Sequence, residues 1–442
     1  MLTVLDSATV PLDPASLPAA RIDALYVHVP FCFHKCHYCD FYSITRQTPE
    51  RMARFIDLIL AEADLWNATP VTTLPKTVFF GGGTPTLLPV DEMRRLLDGL
   101  RERIDFSDVN EWTIEANPAT VTHEYCAMLR EQGVDRLSFG AQSFDPAELK
   151  LLERHHDPDD VPRSVETARG AGFTRLNLDL IFAIPGQTLE SWGRSLDAAI
   201  ALGTPHLSCY GLTYEPYTPI AVRRRMGQFE QIEESIELEM LRHTRRHLAA
   251  LGLAPYEISN YAREGEACRH NLVYWTGGNY LGLGPSAASH VQGWRWRNRP
   301  HLGEWERAVE GSGEGAGFRV QGSGNTEDAS ISVSSLNPEP RTLNPALPRT
   351  LNPCLPAIEV EHLTPRRRAG ELAMLLLRLT RGLNFADFSA RSGFDARKIF
   401  ADPLERFARV GLLDVDEYRV CLTERGLVVA DALSAELLHS TD

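Results

Sequence analysis

The segment Ala24-Leu-Tyr-Val-His-Val-Pro-Phe-Cys-Phe-His-Lys-Cys-His-Tyr-Cys-Asp40 runs from an apolar, strand-like stretch into a loop that holds three of the chain's eight cysteines, Cys32, Cys36 and Cys39. The spacing C-x3-C-x2-C is not the paired C-x2-C arrangement that closes a tetrahedron around structural zinc. Thiolates are the preferred ligands of iron–sulfur clusters, and a cubane normally takes four of them. Three thiolates in one tight loop hold three corners and leave one iron open for a further ligand. Zinc bound by the three thiolates with His28, His34 or His37 is the competing reading, and it would make the chain an interaction module. Inert buried cysteines fit poorly, because His34, Lys35 and His37 make the loop polar. Disulfides are disfavoured by the scatter of the other cysteines and by the lack of a secretory segment.

The strand before the loop opens a series. Thr77–Phe80, Trp112–Ala116, Arg136–Gly140, Leu176–Ile181 and His206–Leu212 read as further strands. Apolar residues at helical spacing fill Glu50–Trp66, the stretch through Met93, Leu96, Leu97 and Leu100, and residues 122–132, 158–171 and 188–202. Such alternation demands right-handed crossovers and a parallel sheet. Six units, rather than eight, predict an α/β fold built on a partial, open (β/α)6 barrel. In barrels of this kind the chemistry sits at the C-terminal ends of the strands.

Beyond the barrel units, a long amphipathic helix is expected over 231–251, then a strand and turn at Tyr256–Ala262 and a glycine-rich run, Leu281–His290. Residues 311–358 change character: they are rich in Gly, Ser, Pro and Asn, and Arg341–Pro348 is repeated at Arg349–Pro356 with one difference, Ala346 against Cys354. Repeated Asn-Pro forbids a continuous helix and removes ladder donors, so this stretch reads as a linker or insertion. The expected organisation is a leader at 1–20, a barrel core at 21–255, an extension at 256–310, the insertion at 311–358 and a C-terminal domain at 359–442. In the last, helices at Ala369–Leu379, Phe385–Ala390 and Pro403–Val410, a hairpin at Leu412–Leu422 and a closing helix at Glu424–Leu437 predict a small winged-helix-like α+β module.

With 442 residues and 43% apolar side chains the chain can build ordinary cores. No run of eighteen apolar residues occurs, so no transmembrane helix is expected, which leaves room only for peripheral membrane contact. Met1–Ala20 carries Asp6 and Asp13 but no Lys or Arg, against a secretory or mitochondrial presequence. A cytoplasmic location is expected. The net charge of −14 argues against nucleic-acid binding, including by the acidic C-terminal module, which is expected to cover the barrel instead.

Polar groups recur at the ends of the expected strands. Gly81-Gly-Gly-Thr-Pro85 lacks the trailing pattern of a dinucleotide or P-loop motif, and its physical content is close backbone approach to a ligand or a tight turn. Glu115 lies in Thr113-Ile-Glu-Ala-Asn-Pro118, Gln142 in Phe139-Gly-Ala-Gln-Ser143, Arg154 before His155 and His156, and Asp179 in Asn177-Leu-Asp-Leu180. The cysteine stretch resembles the cluster loop of the radical S-adenosylmethionine (SAM) superfamily, and Tyr26-Val-His-Val-Pro-Phe-Cys32 is similar to its coproporphyrinogen dehydrogenase/HemW branch. The resemblance runs from about Ala24 to Gly303 and resumes from about Glu361. It implies a [4Fe–4S] cluster on Cys32, Cys36 and Cys39. It also implies SAM held near Tyr26, Tyr38, Gly83, Thr84, Glu115, Gln142, Arg154, Asp179, Thr213 and Ala288, and a reducing electron donor such as a flavodoxin or ferredoxin.

Two features separate the branches. The dehydrogenases carry a further cysteine two positions after the third cluster cysteine, and here that position is Phe41. His270-Asn-Leu-Val-Tyr-Trp275 matches the H-N-x-x-Y-W motif of HemW-type haem chaperones. Imidazole is an ordinary axial ligand of haem iron, so the resemblance makes His270 a candidate haem ligand, with Tyr274 and Trp275 to stack on a porphyrin. By its residues alone His270 reads first as a satisfied interior histidine, hydrogen-bonded to Asn271 or a backbone carbonyl, and the resemblance brings ligation level with that reading. The resemblance therefore points to a chaperone that carries haem to acceptor haemoproteins, with SAM cleavage within its reach. Oxygen-independent coproporphyrinogen III oxidation is the alternative, and its turnover is not expected. Anaerobic reconstitution should give about four irons per chain with an absorption that dithionite bleaches, and deletion of residues 321–355 should leave that iron content unchanged.

Overall fold

The computed structural model describes residues 12–311 and 355–441, so residues 1–11 of the expected leader and 312–354 of the expected insertion lie outside it. Six parallel strands run side by side in sequence order: β1 (Arg21–Val29), β2 (Thr72–Gly82), β3 (Glu111–Ala116), β4 (Arg136–Gln142), β5 (Arg175–Phe182) and β6 (His206–Gly211). Their outward side chains are apolar and buried, as with Leu25, Val27 and Val29 of β1 against Phe55, Ile56 and Ile59 of the helix Pro49–Asn67. The inward side chains are mostly polar. Asn177 donates through Nδ2 to Ser138 Oγ at 2.7 Å and to Ser208 Oγ at 3.1 Å, linking β4, β5 and β6 across the barrel interior. The period-2 alternation that builds the sheet therefore also lines its inside with hydrogen-bonding groups.

The barrel stays open. Beyond β6 the sheet continues antiparallel through β8 (Asn260–Ala262) to β7 (Ala254–Pro255). On the other flank, β9 (Tyr280–Leu283) pairs parallel with β1 and is followed by antiparallel β10 (Ala288–Val291), β11 (Trp294–Asn298) and β12 (Ala357–His362). Among the described residues the sheet thus has twelve strands. The division expected at 358/359 falls inside β12, and Leu355 just before it is buried in the barrel core. A deletion reaching Leu355 removes a core side chain.

One carboxylate pins the added strands. Glu62, fully buried on the helix Pro49–Asn67, accepts from Gly284 N at 2.8 Å, Asn298 Nδ2 at 2.6 Å and Trp305 Nε1 at 2.9 Å. The helix bearing Trp305, Leu302–Val309, and the strands β9–β12 are absent from the sequence-based expectations: glycines break up the apolar period around β9–β11, and β12 follows directly on the proline-rich stretch. The C-terminal domain has its own core, with Leu372, Leu376, Phe388, Phe400 and Leu437 under a three-stranded sheet ordered β13 (Leu383–Asn384), β15 (Arg419–Leu422), β14 (Leu413–Val415). The single closing helix expected there is two, Glu424–Val428 and Ala430–His439, interrupted at Val429. No helix among the described residues is long and apolar enough to cross a membrane.

Burial raises the Glu62 carboxyl from its ordinary 4.5 to about 7, against the pull of its donors. A folded value above the unfolded one means the folded state keeps the proton longer. The stability this gives is complete below about pH 4.5 and is lost as pH rises through about 7. Glu62→Ala, which strands three buried donors, should destabilise the protein by roughly 3 kcal/mol, and the deficit measured by thermal unfolding should narrow between pH 5 and pH 8.

Candidate functional site

The cysteine loop leaves β1 at the C-terminal rim and is closed at its base like a short strand pair: Cys32 N donates to Ile44 O at 3.0 Å and Ile44 N to Pro30 O at 2.8 Å. Cys39 N donates to Cys36 O at 3.2 Å, a turn that brings the last two cysteines round together. All three thiols are free and half-buried. Burial raises the Cys32 thiol against the pull of the neighbouring Ser43 and Thr84 hydroxyls, and raises Cys39 to about 11 against that of the nearby Phe41 amide. Phe41 itself is exposed. Tyr38 packs beside Leu152, Ile181, Ile184, Leu212 and Ile220, which ties the loop to the ends of β5 and β6.

The glycine turn after β2 lies directly against the loop. Gly83 N donates to Val29 O at 2.8 Å and Thr84 N to Phe31 O at 2.7 Å. A Cβ on Gly83 would sit 2.6 Å from Phe31 O and 2.8 Å from Val29 O, so only glycine fits there. Gly82, at φ +100°, donates its N–H to Glu115 Oε2 at 3.2 Å. Desolvation, then the nearby Asp179 carboxylate, pushes Glu115 up to about 8. Asp179 is raised in turn by its own burial, though Ser138 Oγ donates to it at 3.0 Å and Asn177 Nδ2 at 2.8 Å.

Arg154 joins three segments: Nη2 donates to Gly140 O at 2.5 Å and Asn117 Oδ1 at 2.8 Å, and Nη1 approaches Cys36 Sγ at 3.5 Å. Gln142 sits at φ 64° on a bulge between β4 and β5, with its amide and Arg154 crowding Gly140, where a side chain would collide. Tyr26 donates or accepts at His28 Nδ1, 3.1 Å away, and packs on Phe79. Loop, glycine turn, Glu115, Gln142, Arg154 and Asp179 thus meet at one rim. Thr213, just past β6, and Ala288, opening β10, are exposed and stand on the two flanks of this group. Sequence reasoning passed over Asn117 and Ser43. Asn117 lies within the same Thr113–Pro118 stretch as Glu115, but an Asn before Pro reads as turn chemistry.

The H-N-x-x-Y-W motif lies elsewhere. It forms the short helix Arg269–Trp275 at the opposite, N-terminal ends of the strands. Its His270 N and Cys268 Sγ donate to Oε1 of Glu111, the first residue of β3, at 3.0 and 3.4 Å. Glu111 is held by Arg175 Nη2 at 2.7 Å and Arg136 Nη2 at 3.7 Å, from the first residues of β5 and β4. His270 is 1% exposed and both ring nitrogens are engaged: Nδ1 with Thr77 Oγ1 at 2.9 Å and Nε2 with Tyr274 OH at 2.8 Å. Desolvation lowers its pKa to about 3, so it is neutral. Tyr274 packs edge-on against Tyr280, whereas Trp275 turns outward into the C-terminal domain with Arg378 above its ring. The structure therefore gives His270 the interior role, and its ring is not open to a ligand in this conformation.

Two family models match the chain: Radical SAM superfamily over residues 26–199 and HemN C-terminal domain over residues 363–429. The chain is 32% identical over 422 residues to the heme chaperone HemW of Mycobacterium tuberculosis, covering 94% of each. It is 31% identical over 418 residues to that of Bacillus subtilis, covering 93% of this chain and 98% of the relative. A solved structure of Escherichia coli coproporphyrinogen III oxidase (HemN), a radical SAM enzyme, superposes with TM-score 0.74 at 22% identity, covering 96% of this chain and 92% of that one. The protein belongs to the HemW family of the radical SAM superfamily, whose shared cofactors are a [4Fe–4S] cluster and SAM.

The residues at the rim fit that pair of cofactors. The raised Cys32 and Cys39 thiols, with Cys36 in the same loop, match a site that a bound metal cluster would hold as thiolates. Two desolvated carboxylates, Glu115 and Asp179, act on each other, and the Arg154 guanidinium near Asp179 has an unpartnered buried Nε, which suits a polar guest that carries both a positive and a negative group. Arg154 places a cation and an N–H donor at the Cys36 thiol. Arg154→Gln should keep the iron content and lower the cluster's midpoint potential by on the order of tens of millivolts in a redox titration without SAM, since positive charge and hydrogen bonds at sulfur favour the reduced form.

Proposed function

We infer that this protein is a haem chaperone, taking up haem and delivering it to acceptor haemoproteins, with Cys32, Cys36 and Cys39 carrying the cluster and the surrounding rim binding SAM. The observation that carries this reading is the similarity to heme chaperones HemW along 94% of both chains. Phe41 supports it, because the cysteine that marks the dehydrogenase branch is missing beside Cys39. When bound, the reduced cluster and SAM supply one-electron chemistry. The residues of the chain hold the thiolates, orient SAM through the glycine turn and the paired carboxylates, and keep water from the half-buried loop. A flavodoxin- or ferredoxin-like protein is the proposed reductant, and the cytoplasm the proposed compartment.

His270 remains the candidate haem ligand, and its setting defines what loading requires. Thr77 lies five residues before the end of β2, so His270 sits about 16 Å below the rim at strand rise. Haem on His270 and SAM at the loop would thus occupy opposite ends of the barrel, an arrangement suited to carrying haem and not to abstracting hydrogen from a porphyrin side chain. Ligation first requires His270 to leave Thr77 and Tyr274, about 2–3 kcal/mol for two hydrogen bonds. Because Leu272 and Trp275 pack on the C-terminal domain, movement of that domain would carry the motif helix with it.

Haem titration of the full chain tests this. His270→Ala should lower haem affinity at least tenfold, and Thr77→Val, which frees one ring nitrogen, should raise it several-fold. Identical binding by the parent and His270→Ala removes His270 from the site. Conversion of coproporphyrinogen III to protoporphyrinogen in the presence of SAM and a reductant would overturn the chaperone reading.

A further inference from the structure

We propose that His34, Glu153 and His155 form a divalent transition-metal site on the outer edge of the cysteine loop, separate from the three cluster thiolates. One ligand atom from each residue lies within 4.8 Å of the other two. His34 Nε2 stands 3.9 Å from Glu153 Oε2, and the His34 and His155 rings meet edge to face at 4.3 Å between centroids. Ligands on tetrahedral zinc at 2.0–2.1 Å are about 3.3 Å apart, so closing the site takes side-chain shifts of about an ångström. Nothing packed opposes this, since the His34 and Glu153 side chains are 37% and 39% exposed and His155 is exposed.

One further observation points to a ligand, and the helix end that precedes Glu153 fixes where its carboxylate stands. His34 Nε2 is shielded from solvent yet has no hydrogen-bond partner, and a cation would satisfy its lone pair. Glu153 is held at φ 55°, where the helix Pro146–Leu151 ends with Glu153 N on Lys150 O at 3.2 Å and Arg154 N on Leu149 O at 2.9 Å. From this kink Arg154 reaches inward to Gly140 O and Cys36, while Glu153 and His155 meet the loop from outside. Two imidazoles and one carboxylate with an open fourth position suit zinc or ferrous iron, whereas calcium and magnesium take oxygen ligands. A bound ion would clamp the Cys32–Cys36 stretch to the segment that carries Arg154.

The test uses the full chain with its cluster reconstituted anaerobically, dialysed against micromolar zinc, with both metals counted by mass spectrometry. The parent should hold about one zinc beside about four irons. His34→Ala/His155→Ala should lose the zinc and keep the iron, and Glu153→Gln, which keeps both imidazoles, should weaken zinc binding at least tenfold against a chromophoric chelator. A parent that takes up no zinc, zinc gained only as iron is lost, or undiminished zinc in the double variant overturns the proposal. If the double variant fails to hold iron, Glu153→Gln decides: unchanged zinc affinity there overturns it equally.

Discussion

Two backbone hydrogen bonds, from Gly83 to Val29 O and from Thr84 to Phe31 O, tie the glycine turn of β2 to the entry of the cysteine loop. They exist because β1 and β2 are parallel and in register to their last residues, with Val29 opposite Gly82. They are short enough to form only because residue 83 has no side chain. The position of the loop, and so of Cys32 relative to the Thr84 hydroxyl and the Glu115 carboxylate beyond it, follows from this contact. The remaining strands add to it in order. Each parallel neighbour brings one more polar strand end to the same rim, which is why groups from four strands and two loops converge without any being adjacent in the chain.

The same polarity gives the barrel a second, different end. At the strand starts, Glu111 is shared by Arg136, Arg175, Cys268 and His270, a buried charge that is tolerable because it is paired and hydrogen-bonded on every side. Burial raises a lone carboxyl, and here the arginines and amides outweigh it and hold Glu111 below its ordinary value. The motif helix is therefore anchored inside the barrel through His270 and to the C-terminal domain through Leu272 and Trp275. It connects two bodies that otherwise have separate cores.

Much of this was legible in the residues. The six strands and their helices follow from period-2 and period-3.6 patterning, and their observed bounds differ from the expected ones mostly at the ends, where frayed turns blur any assignment. The cysteine loop was legible from spacing alone. Less visible were β9–β11, whose short runs lie among glycines, β12, which follows the proline-rich stretch, and the break at Val429, which lies within a continuous apolar stripe. Glu62 gave no signal in the sequence, since a glutamate at a helical position reads as surface until its three donors, 222 to 243 residues away, are seen around it.

By itself the sequence determined the fold class, the grouping of three cysteines in one loop and the polar strand ends, because each depends on local spacing or on the strand and helix periodicities. The tertiary structure decided what those residues face. His270 read equally as a ligand or an interior histidine until Thr77, 193 residues before it, and Tyr274 were found on its two nitrogens. His34 and Glu153 are likewise neighbours only through folding. Contacts of that kind depend on how one element is docked on another, and no pattern along the chain records the docking.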